Sequence, residues 1–445
     1  MEPPADGRER AGDEGGDARD RSADARGRAR GAPLTPRALV FVAALATVDL
    51  AAFPALGADS VLVREIAVEG NERTSREVIE RALDVRPGDA VDPDAAAALR
   101  QRVYNLRIFR EVDVQLRPAD GGIVVAVAVE ERWTLTPIPI VGAVDGAFQA
   151  GLALLEQNLL GERKELALVG VYSTRGQTAM ALYRDPAVGG SRAILASELI
   201  AENKVRQRAD GARVTHAWRD RHVEASVRPG VQWTPRLGVR AGPFAVLAES
   251  EAEPGFAPPP PSGRAVGVAA DLEYAGQDYR EWFDSGPLLT ARLRSSLPAL
   301  GAERAFTQAW SFALWTVPAF RDHAFSLSVT GVVAQGDPVL DAFPLGGRRG
   351  SRGLREGGLW TERGATASAE YQVPFWRPGW GTVAAMAFVD GGVAYWAGST
   401  TRYVAPGAGV RVYVRNVAVP AFGVDMASSS AGAGLAMSFF LGFGG

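Results

Sequence analysis

From about residue 133 onward the chain alternates apolar and polar residues one by one. Ala365 to Val373 sets apolar side chains on odd positions and Thr366, Ser368, Glu370 and Gln372 on even ones. His323 to Val333 sets Phe325, Leu327, Val329 and Val333 against Ser326, Ser328 and Thr330. The same pattern holds for Leu289, Ala291 and Leu293 against Thr290, Arg292 and Arg294, and for Val410, Val412 and Val414 against Arg411, Tyr413 and Arg415. In Val266 to Tyr274, Asp271 and Glu273 stand opposite the apolar positions. A period of two belongs to a strand, whose successive side chains point to opposite faces. A soluble sandwich also alternates, but with shorter strands. These segments run roughly ten residues, the length of a tilted strand crossing a bilayer. Residues 133–445 contain no convincing helix, and about 19 residues per strand and turn predict a closed antiparallel barrel of about 16 strands.

Ahead of the barrel the pattern changes. Val61 to Glu69 alternates and stops at Gly70-Asn71, a turn signal. Thr74 or Ser75 is placed to cap a helix through Leu83, with Glu77 in its first turn. Pro87-Gly88 makes a turn, and Asp92-Pro93 opens an alanine-rich helix to about Leu106. Phe109 to Leu116 and Ile123 to Val129 then read as two strands around Asp120-Gly121-Gly122. This order of strand, helix, helix, strand, strand, with Gly70-Asn71, Pro87-Gly88-Asp89, Phe109 and Val129-Glu130-Glu131, resembles a POTRA domain. The alternative is a generic α+β domain of the same size. The resemblance implies a module that binds extended polypeptide at an exposed strand edge, through backbone hydrogen bonds.

Composition narrows the chemistry. With no cysteine, disulfides, thiolate nucleophiles and Cys-ligated zinc are excluded. His216, His222 and His323 are the only histidines, which leaves little for a metal site or a Ser-His-Asp triad. His216 and His222 read as residues lining a strand, and neither a cofactor, a metal nor an enzymatic role is expected. A net charge of −3 gives no reason to expect nucleic acid. The first 36 residues are polar and charge-mixed, too poor in apolar side chains to form a core. Ala38 to Ala58 is an apolar run behind Arg28, Arg30 and Arg37, ending in Ala55-Leu56-Gly57-Ala58. It reads as a cleaved signal peptide, the alternative being a membrane anchor. The expected division is a leader with signal peptide over 1–58, the α+β domain over 59–132, and an outer-membrane barrel over 133–445. The break at Glu251 to Gly263 holds Pro258 to Pro261, and its length suits an extracellular loop.

One stretch narrows the function. Gly346-Gly347-Arg348-Arg349-Gly350-Ser351-Arg352-Gly353-Leu354 lies between strand-like segments. It lacks the Gly-Lys-Ser/Thr ending of a phosphate loop and is followed by no helix. Beyond it stand Glu370, Pro374-Phe375-Trp376 and Ala387 to Gly392, which includes Asp390. Glu370 and Asp390 both fall on the non-lipid face, where an arginine on an inward-folded loop can neutralise them. This set resembles the BamA/TamA superfamily of outer-membrane assembly and secretion proteins, the bacterial surface antigen family. By that resemblance, Arg352-Gly353 belongs to a loop that folds into the barrel, and Glu370 and Asp390 form the acidic wall it meets. Leu154 to Gly161 is similar to a segment near the barrel start of these proteins. Ser351 stands where the family has an aliphatic residue and Leu354 where it has an aromatic one, which predicts a looser loop seat.

The resemblance implies an assembly or insertion factor in the outer membrane, with its POTRA domain in the periplasm. Its partners would be unfolded outer-membrane or secreted polypeptides, the lipid bilayer, and accessory proteins of the periplasm or inner membrane. Pro137 and Pro139 in the first barrel strand lack N–H groups, and the chain ends on glycines including Gly442, which together predict a weak seam for templating client strands. The alternatives are a secretion pore of the two-partner type and a passive porin.

Overall fold

A computed structural model describes residues 60–445, apart from 145–146, 211–212, 257, 260–261, 321, 337–342, 348, 355–358, 397, 415–419, 433 and 442–445. The expected leader over 1–58, Arg348, Pro260, Pro261 and Gly442 therefore lie outside the described residues.

The N-terminal unit runs β1 (Val61–Glu69), helix Arg76–Leu83, β2 (Ala90–Val91), helix Ala96–Tyr104, β3 (Phe109–Ala119) and β4 (Gly122–Glu131). Its sheet order is β2-β1-β4-β3, with β1 and β4 parallel and the other pairs antiparallel. The sequence predicts no β2, because two residues carry no period; Ala90 and Val91 are strand only through pairing with Leu62 and Val61. Ile79 and Leu83 from the first helix and Val103 from the second are buried against Val63, Val125 and Val127 of the sheet. Gly70 ends β1 at φ +85, and a Cβ there would lie 2.0 Å from the Val129 carbonyl oxygen, so only glycine fits the turn.

The barrel strands are β5 (Leu135–Val144), β6 (Ala147–Leu159), β7 (Lys164–Ser173), β8 (Gly176–Asp185), β9 (Ala193–Asp210), β10 (Arg213–Thr234), β11 (Leu237–Ala252), β12 (Gly263–Ala275), β14 (Asp284–Ser296), β15 (Thr307–Ala319), β16 (His323–Gln335), β19 (Arg363–Trp376), β20 (Gly381–Trp396), β21 (Ser399–Val414), β22 (Pro420–Ser428) and β23 (Leu435–Leu441). They close into one antiparallel ring of 16 strands, β23 pairing with β5. Three short strands lie beside the wall: β13 (Asp278–Tyr279), and the hairpin of β17 (Phe343–Leu345) with β18 (Leu359–Thr361). The alternation sorts as the period requires. Leu327, Val329, Val389, Val404 and Val410 face outward and are exposed, while Ser326, Ser328, Ser368, Glu370, Asp390 and Arg411 are buried toward the lumen. Strands β9 and β10 reach 18 and 22 residues, well beyond the roughly ten that cross a bilayer. Lys204, Arg206, Arg208 and Arg219 lie toward the end of this hairpin away from the N-terminal domain.

The two units touch directly. The Ser75 N–H, at the start of the first helix, donates to the Gly161 carbonyl (2.9 Å), and Asn158 Nδ2 donates to Thr74 Oγ1 (2.9 Å). Arg163 Nε donates to the Leu106 carbonyl (2.9 Å). Residues Asn158 to Arg163, which include the end of the Leu154 to Gly161 segment, are thus the barrel turn on which the domain sits. With β5 rising from that side, the Pro-rich break between β11 and β12 falls on the opposite, extracellular face.

Because Ile79 is fully buried, Ile79→Ala should cost about 2–5 kcal/mol within the N-terminal domain. The expected result in a thermal melt of the whole protein is a lower first transition with the heat-modifiable gel mobility of the barrel unchanged.

Candidate functional site

Between β16 and β19 the chain enters the lumen. Gly350 takes φ +84 and Gly347 φ +69, conformations that turn the loop back on itself. The Gly347 N–H donates to the Leu354 carbonyl (3.0 Å), and the Gly346 N–H donates to Ser351 Oγ (3.1 Å). The tip carries Arg352 to the inner wall. Its Nε donates to Asp390 Oδ2 (2.9 Å), its Nη2 to Asp390 Oδ1 (2.6 Å), and its backbone N–H to the same carboxylate (3.0 Å). Nη2 also donates to Ser368 Oγ (2.9 Å), and Nη1 stands 2.8 Å from Glu370 Oε1. The guanidinium lies over the Phe388 ring, 3.5 Å from its centroid. Register explains the convergence. Ser368 faces Asp390 and Glu370 faces Phe388 across the β19–β20 ladder, so one planar cation covers four neighbouring inner-row positions.

Arg352, Gly353, Glu370 and Asp390 are therefore brought together. Gly353 has a steric reason to be glycine: a Cβ would stand 2.8 Å from Ala405 Cβ and 3.0 Å from Ser429. The Tyr403 hydroxyl donates to the Gly350 carbonyl (2.6 Å), fastening the loop to β21. The looser seat predicted from Ser351 and Leu354 is not observed. Both residues are buried, since the small serine turns its hydroxyl to the Gly346 backbone and Leu354 closes the loop on Gly347.

The sequence pattern assigns no role to Arg349, whose Nη2 donates to Glu370 Oε2 (2.8 Å), so Glu370 meets two arginines. Nor does it reach the opposite wall. There Arg228 and Arg292 bracket Asp271 and Glu198, with Arg228 Nε to Asp271 Oδ2 at 2.8 Å and Arg292 Nε to Asp271 Oδ1 at 2.7 Å. Arg184 and Arg240 both hold Glu273 at 2.9 Å. The only advance signal is the polar row containing Asp271, Glu273 and Arg292. Among the histidines, His222 lies in the lumen beside Asp220 and Glu202, and those carboxylates are already paired with Arg206 and Lys204. His216 hydrogen-bonds Thr215 next to it.

Pro137 and Pro139 sit on β5 opposite Leu154 and Leu152 of β6, and the described closing ladder runs from Val144–Ser438 to Val141–Leu441.

Comparison with known proteins agrees with this geometry. The POTRA family, described as surface antigen variable number repeat, matches residues 61–132. The outer membrane protein assembly factor BamA of Neorickettsia risticii is 32% identical over 109 residues, which are 24% of this chain and only 15% of that relative. In structure the chain is similar to BamA from Haemophilus ducreyi lacking POTRA domains 1-3, at TM-score 0.55 and 14% identity, covering 86% of this chain and 85% of that one. It is similar to CdiB from Acinetobacter baumannii at TM-score 0.56 and 14% identity, covering 86% and 74%. At such identities the structural likeness speaks for the fold. Sequence and fold together define an outer-membrane β-barrel of BamA/TamA-like architecture, with its POTRA domain in the periplasm.

Replacing Arg352 leaves Asp390 buried without its cation. Arg352→Ala should therefore cost on the order of 3–5 kcal/mol in barrel stability, read as a lower denaturant midpoint in liposomes. Arg352→Lys should recover little of it, because an ammonium cannot bond both oxygens of Asp390 while reaching Glu370. Equal midpoints for all three proteins would remove the cluster from any structural role.

Proposed function

We propose that this chain assembles or inserts outer-membrane β-barrel proteins, pairing client strands at its own seam, with no bond-making chemistry. The observation that carries the reading is the open edge of the periplasmic domain: among the described residues β3, eleven residues long, pairs with β4 on one side only. Such an edge offers N–H and C=O groups to an incoming strand. The barrel's own closing ladder is described from Val144–Ser438 to Val141–Leu441. Client polypeptide would add to β3 by backbone hydrogen bonding and pass to the seam. Arg352, held by Glu370 and Asp390, would keep the lumen loop and the β19–β20 wall in register meanwhile. Accessory proteins of the periplasm or inner membrane would deliver clients to the POTRA domain.

Secretion through the lumen is the second reading. Against it, and equally against a passive porin, stands a crowded lumen. At the extracellular end Trp360 of β18 packs between Trp218 of β10 and Trp396 of β20, ring centroids 5.9 and 6.2 Å apart. A client entering laterally leaves that packing in place.

The chain has no cysteine, so Ala143→Cys with Phe439→Cys, register partners across the seam, gives a selective lock. Assembly of an unfolded barrel client in liposomes should be accelerated by the reduced double variant and not by the oxidised one. Equal acceleration in both states would overturn templating at the seam.

A further inference from the structure

The connection between β12 and β14 does more than turn the chain. Asp278 and Tyr279 form β13 against Ser285 and Asp284, and the chain then enters the barrel mouth on the POTRA side. Trp282 is only 3% exposed and packs against Ala324, Ala384 and Tyr413. Those three residues belong to β16, β20 and β21, the last of them five strands beyond β14 around the ring. The indole meets the Tyr413 ring edge-on at 5.2 Å and Phe283 at 4.7 Å. A tryptophan from one rim thus reaches across a chord of the lumen to the far wall.

Its base is held by the POTRA domain. Asn105 Oδ1 accepts from the Tyr279 backbone N–H (2.9 Å), and Asn105 Nδ2 donates to Asp278 Oδ1 (3.1 Å). Gln101 Nε2 donates to the Tyr279 carbonyl (3.0 Å), so Asn105 and Gln101 bond both backbone groups of Tyr279. Arg107 Nη2 pairs with Asp284 Oδ1 at 2.6 Å, and its guanidinium lies over the Tyr279 ring at 5.2 Å.

We infer that the segment Gly276–Phe283 is a plug closing the periplasmic mouth of the barrel, and that the POTRA domain is its latch. Two features separate this from ordinary packing. The latch consists of polar bonds between a periplasmic domain and a loop, which a swing of the domain breaks together. The plug also leans on a wall shared with the Arg352 cluster: the Tyr413 hydroxyl donates to Gln372 Oε1 (2.7 Å), and Gln372 follows Glu370 on the same inner row of β19. A client that moves the POTRA domain would release the plug, a gating motion of the hinge type. This goes beyond the proposed assembly role, since closure of the lumen is defined without any client.

The test is ion conductance of the full-length protein in planar bilayers, with no client present, in a Trp360→Ala background that relieves the tryptophan packing at the extracellular mouth. The background protein should be mostly closed. Trp282→Ala should open it, and Asn105→Ala with Arg107→Ala, which leaves Trp282 intact, should raise open probability on the order of fivefold for each hydrogen bond removed. Heat-modifiable mobility verifies that each barrel has folded. A folded Trp282→Ala protein as closed as the background protein overturns the plug. Opening by Trp282→Ala with no change in the latch variant overturns the latch alone. Should Trp282→Ala fail to fold, Asn105→Cys with Asp278→Cys joined by a short cleavable thiol reagent decides: conductance should stay silent while joined in the Arg107→Ala background, and rise on cleavage. Conductance that ignores cleavage sinks the proposal. Client assembly followed on the same variants reports separately on the seam, so either reading can fail without the other.

Discussion

The interior of this barrel is governed by charge that cannot reach bulk water. Glu370 and Asp390 are buried on the inner wall, where an uncompensated carboxylate would cost several kcal/mol. Their counter-charge arrives on a loop and not from a neighbouring strand. The loop is therefore specified by the wall and the wall is satisfied by the loop. The glycine that packs against Ala405 and the Tyr403 bond to Gly350 both serve this one placement. The opposite wall meets the same constraint within its strands, Arg228 and Arg292 answering Glu198 and Asp271. A strand-borne network fixes the shape of the wall. A loop-borne one fixes an element that can, in principle, leave.

Closure sets the second constraint. A ring of strands abolishes free edges only if its last ladder is as complete as the others. Here β5 pairs with β6 along its whole length and with β23 from Val144 to Val141, among the described residues. The POTRA domain carries an open edge, that of β3, on the periplasmic side. An open edge suits the proposed handling of other chains in extended form, because backbone pairing does not read side chains.

The alternation along the chain carried most of this architecture. Period two announces a strand, and ten-residue segments over roughly 310 residues announce a barrel, because both follow from geometry local to each strand. The same alternation already sets Glu370 and Asp390 on the inner row. It gives the face and not the height. Arg228 and Asp271 lie 43 residues apart, and their meeting depends on the register of the intervening hairpins, which no local pattern encodes. Trp282 was invisible for a further reason. It lies in a turn, where there is no period to read, and its burial comes from the lumen of a barrel that exists only once the distant strands have closed.

These features bear on which way a client would travel under the proposed assembly role. An axial route must displace the tryptophans at both mouths, Trp218, Trp360 and Trp396 outside and Trp282 inside, each packed on walls that also carry ion pairs. In the proposed lateral route the ladder between β23 and β5 opens, and each ladder bond broken there can be replaced at once by one to the client. Exchange of that kind costs little net free energy, because a backbone hydrogen bond made replaces one broken. Displacing a buried tryptophan has no such compensation until the client itself fills the space. A crowded lumen thus favours the proposed lateral route over the axial one.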